Sequence, residues 1–349
     1  MAVDWRRLCV ICGLVSLFFL VIPIKVDRKD DLKEQFKYFI KEFNKTYEDE
    51  SPEYVKRFIN FKKSIETVEE LNKGIQNTVF GLTKYSDLSP EEFAQLHLQP
   101  KLAERIQTNK LRNVLHSKNY YNIEKRALQD DLPVHIDWRE KKVITKVQNQ
   151  KACGACWAFS TVETVESMYA IRNGILQTLS VQELIDCAGN GNLGCEGGDT
   201  CSLLEWLVDK KINIELESQY PLTWETQVCK LKGSEKGIQI AANYTCAHLV
   251  GSEDTILKLL AHHGPVAVSV NAVNWQYYLG GIIQYHCDGG IQHTNHAVQI
   301  VGYDRSPPIP HYIVRNSWGP EFGDKGYLYI AIGSNLCGLA NEVSALDVL

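Results

Sequence analysis

The chain has 349 residues, 44% hydrophobic and 23% charged, with a formal net charge of −5. These values describe an ordinary globular protein of two to three domains with room for large cores. They exclude a strongly basic chain, so no nucleic-acid partner is expected.

At the start, Arg6 and Arg7 precede the apolar run Leu8–Ile22, which ends at Pro23. A basic stretch before a short apolar core reads as a secretory signal peptide, assigned to residues 1–24. The run is shorter than the roughly 20 residues of a membrane span, and a retained anchor is the alternative. Secretion permits disulfides. Of 11 cysteines, Cys9 and Cys12 lie in the apolar run, which leaves nine. An odd number leaves one thiol free or paired between chains.

From Asp27 to Gln76 the chain is charged and poor in Gly and Pro. Leu32, Phe36, Phe39 or Ile40, and Phe43 form one helical stripe, and a second helix begins at Pro52 with Ser51 as its cap. Ser89 followed by Glu92 is a capping box. Residues from about Pro100 to Asp131 are polar and carry no cysteine or sustained apolar period, so they read as an accessible linker. All nine remaining cysteines follow it. A helix is expected from Cys156 to Asn173–Gly174, and strands over Pro265–Ala272, His296–Asp304, His311–Trp318 and Gly326–Gly333. Helices first and strands later is the pattern of an α+β domain with two halves.

The stretch "NQKACGACWAFS" holds Cys153 and Cys156. A zinc ribbon needs a second close pair, and Cys187, Cys195 and Cys201 are spaced too widely for one. A redox centre needs a buried strand before it, and "VITKVQNQKA" is not a clear one. Cys156 instead begins a helix, where the dipole favours thiolate over thiol. A thiolate nucleophile also needs a histidine and a group to orient that ring.

"CGACW" fits the papain/cathepsin signature. His296 lies 140 residues after Cys156 in "NHAVQIVGY", and Asn316 lies 160 after it in "RNSWG". With "LPVHIDWR", "LSVQELIDC", "GCEGG" and "WGPEFGDKGY", the chain resembles the papain-like cysteine proteases of the cathepsin family over nearly its whole length after the signal.

The resemblance implies a papain-like two-lobed α+β domain at 132–349, with a helical left lobe and a β-barrel-like right lobe. A helical inhibitory propeptide with its linker, 25–131, precedes it. Cys156 would attack the peptide carbonyl, and His296 would hold the thiolate and then protonate the leaving amine. Asn316 would orient the ring beneath Trp318. Gln150 and the Cys156 N–H would donate to the oxyanion. Disulfides Cys153–Cys195, Cys187–Cys229 and Cys287–Cys337 are implied, which leaves Cys156 as the odd thiol. Cys201 and Cys246 fall outside that pattern, as a fourth bridge or as two buried thiols.

Gly197 and Gly198 resemble the strand edge that binds substrate backbone. Asp199, Thr200, Ser269, Ala297 and Glu342 align with the pocket for the second residue before the cut, where the Glu342 carboxylate would accept Arg as well as apolar side chains. No long insertion between Cys195 and Cys229 blocks the cleft, so endopeptidase action is implied. The "SPPIP" stretch, Ser306 to Pro310, reads as a stiff surface loop, and Phe322 stands where the family has a second Trp.

Glu53, Arg57, Phe61, Val68 and Asn72 follow the family's propeptide helix motif, with Ser64 in place of its Asn, and "GLTKYSD" matches a second motif loosely. Such a zymogen would open in acid as carboxylates such as Asp87 protonate. Asn44 and Asn243 head glycosylation sequons. The implied protein is a lysosomal or secreted monomer that acts on proteins and peptides. It is inhibited by its own propeptide and by cystatin-like proteins, and needs no cofactor or metal.

Overall fold

The computed structural model describes residues 28–74, 77–113, 131–231 and 237–349. The expected signal peptide and residues 114–130 of the linker lie outside them. The chain forms two compact units, Met1–Lys62 and Lys63–Leu349.

In the first unit, helix α1 (Arg28–Glu42) meets the start of α2 (Pro52–Leu71). Phe36 lies 5.1 Å from Phe61 and 5.3 Å from Phe58, ring centre to ring centre. The sequence stripe thus becomes an aromatic seam, worth more than its buried area alone. Ser51 accepts from the Tyr54 N–H, the expected cap, and Glu53 pairs with Arg57 at 2.6 Å one turn on.

The second unit contains two apolar cores. The helical core surrounds α5 (Cys156–Asn173), with α6 (Val181–Cys187) and α7 (Thr200–Asp209) packed on it. Helix α5 is buried on nearly every side, so it shows no amphipathic stripe. It ends at Gly174, where φ of +71° suits a residue without Cβ.

The sheet core belongs to eight strands. Seven run in the order β4 (Thr245–Ala247), β10 (Val343–Ala345), β5 (Val266–Val270), β7 (His296–Asp304), β8 (His311–Arg315), β9 (Tyr327–Ala331) and β6 (Ile282–Ile283). β1 (His135–Asp137) joins the end of β7. All pairings are antiparallel except β6 with β9. A register shift in β7 falls between Ile300 and Gly302, where a Cβ on Gly302 would run into the Ile136 carbonyl of β1. β2 (Asn213–Ile214) and β3 (Ile238–Gln239) form a separate pair, and α8 (Glu253–His262) supplies Ile256 and Leu260 to the sheet core.

Segments before residue 114 complete this unit. Leu71, Val79, Phe80, Tyr85, Phe93 and Leu98 are buried in the sheet core. Phe80 bridges Tyr278, and Gln276 donates to the carbonyls of Tyr85 and Leu88. The capping box at α3 (Pro90–His97) forms with both of its hydrogen bonds, 3.2 and 2.9 Å. Ser64, where the family motif has Asn, donates to the Ser86 carbonyl at 2.8 Å.

The linker expectation needs correction. Residues Leu102–Asn113 form helix α4, held by buried Leu102, Ala103 and Ile106. Three apolar residues in one turn and a half are too few to make a period, yet enough to seat a short helix on an existing surface.

Four disulfides staple the second unit: Cys153–Cys195, Cys187–Cys229, Cys201–Cys246 and Cys287–Cys337. Of the two options left open, Cys201 and Cys246 take the bridge, which ties α7 of the helical core to β4 of the large sheet. Among the described residues Cys156 is the free cysteine.

Candidate active site

Cys156 is the first residue of α5 and fully buried. Its sulfur receives the backbone N–H groups of Cys156 and Trp157 at the helix start, and that of Ala297 from β7. The last of these brings the neighbour of His296 onto the sulfur. His296 opens β7, and its Nε2 donates to Asn316 Oδ1 at 2.8 Å. That bond fixes the proton on Nε2 and leaves Nδ1 with a lone pair; Nδ1 is buried with no hydrogen-bond partner. Trp318 lies over the ring at 4.9 Å, and Trp275 meets its edge at 6.0 Å. Phe322 closes the aromatic group 5.0 Å from Trp318.

Burial governs the charge state. It pushes the Cys156 thiol up to about 11, against the hydrogen bonds from Gln99 and the three backbone groups. It pushes His296 down to about 4, opposed by Asn316 and assisted by nearby His97. Near neutral pH the pair is therefore thiol and imidazole. The helix dipole expected to favour thiolate is present, but loss of water outweighs it.

The covering group is Gln99, between α3 and α4. Its Nε2 donates to the Cys156 sulfur at 2.8 Å, and its Oε1 accepts from the Gly198 N–H at 2.8 Å. Its own N–H donates to the Asn295 carbonyl at 2.6 Å. Two residues earlier, the His97 carbonyl accepts from Gln150 Nε2 at 3.3 Å, which also donates to the Cys153 carbonyl. Gln150 Oε1 accepts from Ser317, beside Asn316. The bridge Cys153–Cys195 holds this loop to the Gly197 segment, with the Gly154 N–H on the Cys195 carbonyl.

Gly197 and Gly198 lie in an irregular segment before α7 rather than in a strand. Gly197 has φ of +110°, and a Cβ there would strike Gln99. Asp199 caps α7 by accepting from the Ser202 N–H at 2.7 Å. Across β7 and β5, Ala297 sits opposite Ser269, whose hydroxyl donates to Glu342 at 2.7 Å; Thr200 reaches the same carboxyl at 3.4 Å. Glu342 is buried, and burial, with Asp199 alongside, holds its carboxyl far above the usual range.

The structure thus brings together the residues singled out around Cys156 and those around Glu342. Asn44 is exposed, while the Asn243 side chain donates to Asp347. Sequence reading missed Gln99 and His97, whose roles come from contacts with residues 53 to 99 positions away. It also missed Arg315, though an arginine inside the apolar strand "YIVRN" was a signal that a buried charge would need partners.

Residues 132–346 match the family model "Papain family cysteine protease", and residues 36–93 match "Cathepsin propeptide inhibitor domain (I29)". The chain belongs to the papain family of cysteine proteases and carries that family's propeptide. It is 41% identical to Cathepsin O of Homo sapiens over 270 residues, 77% of this chain and 79% of that protein. Cathepsin O of Mus musculus is 39% identical over 271 residues, 77% of this chain and 82% of that one. Among solved structures, digestive procathepsin L 3 of the Tenebrio molitor larval midgut is similar with a TM-score of 0.74 and 28% identity, covering 90% of this chain and 99% of that chain. No helix among the described residues is long and apolar enough to cross a membrane.

Proposed function

We propose that the protein is a cysteine endopeptidase made as a self-blocked precursor. Residues 1–24 are the signal peptide, 25–131 the inhibitory propeptide with its linker, and 132–349 the mature enzyme. Cys156 attacks the peptide carbonyl and the thioester acyl-enzyme forms as the amine leaves. His296 takes the thiol proton at Nδ1 and gives it to that amine; water then releases the acid. Asn316 holds the ring, and the Gln150 amide with the Cys156 N–H steadies the developing oxyanion, each donor worth about 10²–10³ in rate.

The observation that carries this reading is Gln99. A carboxamide from the propeptide spans the Cys156 sulfur and the Gly198 N–H, as a substrate amide would. The His97 carbonyl, two residues earlier, engages the Gln150 amide. Removing that segment exposes the sulfur to water and lets thiolate and imidazolium form together. The setting is protein breakdown in the lysosome or outside the cell, with cystatin-like proteins as inhibitors of a monomeric enzyme.

The test is acid activation of the full chain followed by a thiol-directed epoxide. An adduct on Cys156 with loss of peptide hydrolysis is expected. An adduct elsewhere, or hydrolysis that survives labelling of Cys156, refutes the assignment.

A further inference from the structure

Beneath the candidate site lies a buried polar cluster. Arg315 is the last residue of β8, directly before Asn316, and is fully buried. Removing a guanidinium from water costs several kcal/mol, so its partners must compensate. Its Nη2 donates to the Lys146 carbonyl at 2.7 Å and to the Thr145 hydroxyl at 3.0 Å. Its Nη1 faces Gln299 Oε1 at 3.5 Å, and its Nε lies 3.3 Å from Glu163 Oε1.

Each partner leads back to an element of the site. Glu163 and Glu166 lie seven and ten residues after Cys156 on α5. Glu166 accepts from the Thr145 hydroxyl and from the Leu179 N–H. Gln299, three residues after His296 on β7, donates to the Ser167 hydroxyl at 3.0 Å, and Ser167 donates to the Glu163 carbonyl at 2.7 Å. The guanidinium therefore joins the helix that begins with Cys156 to the strand that begins with His296. Its own backbone leads into Asn316.

Stability alone is a weak reason for such a cluster, because buried ion pairs can often be replaced by apolar packing without loss. What apolar packing does not supply is a fixed register, since a planar fork with five donors accepts few arrangements. Burial pushes Glu163 up to about 8 and Glu166 up to about 7, and Arg315 opposes both. Among the described residues, Glu217 also acts on Glu166, and Tyr327 lies within electrostatic reach of Arg315 and Glu163.

We propose that Arg315 is a positioning residue for the hydrolysis. It locks α5 against β7 and β8 so that the Cys156 sulfur and the His296 ring meet in reactive geometry. This rests on the assignment of Cys156 and His296 made above. A shift of about 1 Å between reacting groups costs about a hundredfold in rate. The bolt therefore acts on kcat, not on how substrate is held.

The experiment compares the wild type with Arg315→Met and Arg315→Lys. Each is made as the full chain, matured with an added acid protease, and counted by stoichiometric labelling of competent thiols. Arg315→Met is expected to lose about tenfold to a hundredfold in kcat per competent site, with KM held within about twofold. The pH profile of Cys156 alkylation shifts with it, because the imidazolium no longer holds the thiolate. Arg315→Lys, which keeps the charge but not the fork, recovers part of the loss.

A folded Arg315→Met with wild-type kcat and wild-type pH profile overturns the proposal, even if it melts at lower temperature. If that variant fails to fold, Thr145→Val decides, because it keeps the side-chain shape and removes the hydroxyl that links Arg315 to Glu166. A loss of about threefold to tenfold in kcat with the same profile shift supports the bolt, and wild-type behaviour overturns it. Should Cys156 of the wild type take no label, the site assignment itself falls, an outcome distinct from failure of the Arg315 variants.

Discussion

Gln99→Ala removes the side chain that seals Cys156 in the precursor. Two hydrogen bonds disappear, one to the sulfur and one from the buried Gly198 N–H. At about 1 kcal/mol net for each, closure weakens by about 2 kcal/mol, or about 30-fold in the ratio of open to closed chains. Alkylation of Cys156 in the unprocessed precursor reads that ratio directly, because a buried thiol reacts only when the segment lifts. The iodoacetamide rate, followed by mass spectrometry of the Cys156 peptide, is expected to rise by about that factor in Gln99→Ala. Gln99→Glu keeps an acceptor for Gly198 but loses the donor to sulfur, and falls between the two at about fivefold. A wild-type rate in Gln99→Ala refutes the reasoning, for the seal must then lie elsewhere.

Three further outcomes follow from the same site. His97 is packed against Tyr85, Phe93 and Trp318, and burial holds it down at about 4. Its folded value is depressed, so its contribution to closure is complete above about 6.5 and is lost as pH falls toward about 4. His97→Phe should therefore move the onset of self-processing to lower pH, and an unchanged profile would count against this trigger; Asp87→Asn tests the alternative. His296, also depressed to about 4, gives the precursor a loss of stability over the same interval, on the order of 3 kcal/mol. In a non-processing Cys156→Ser background, the acid fall in melting temperature should shrink when His296→Gln is added, and an equal fall would refute the assignment. Burial and Asp199 raise the Glu342 carboxyl well above the usual carboxylate range. Preference for Arg at the second residue before the cut should thus be weak in acid, grow as pH rises, and vanish in Glu342→Ala; a peptide library giving both enzymes the same low preference would refute an acidic pocket.

The parts of this fold that could be read from sequence are those that carry their own signals. β7 and β8 are buried β-branched runs, and the α3 capping box is a local pattern that needs no tertiary context. β1, β4 and β10 span three residues each, too few for any periodicity, and exist because neighbouring strands supply their partners. At the site, Cys156 was visible from its place at a helix start, whereas His296 and Asn316 were visible through a family signature rather than through local physics. Gln99 had no signature, since its role comes from being the polar side chain that arrives where α3 ends. Glu163 and Glu166 carry no mark in the sequence, and it is a helix buried on nearly every side that turns them inward.

The bridge between Cys201 and Cys246 spans the two cores, and its sulfurs lie near Ser344, two residues after Glu342. It is a covalent tie between α7 and β4, so the two cores stay joined there whatever the packing around them does. A thiol and a disulfide ask for opposite surroundings: a strong reductant keeps Cys156 a thiol and opens Cys201–Cys246, whereas an oxidant spares the bridge and consumes the thiol.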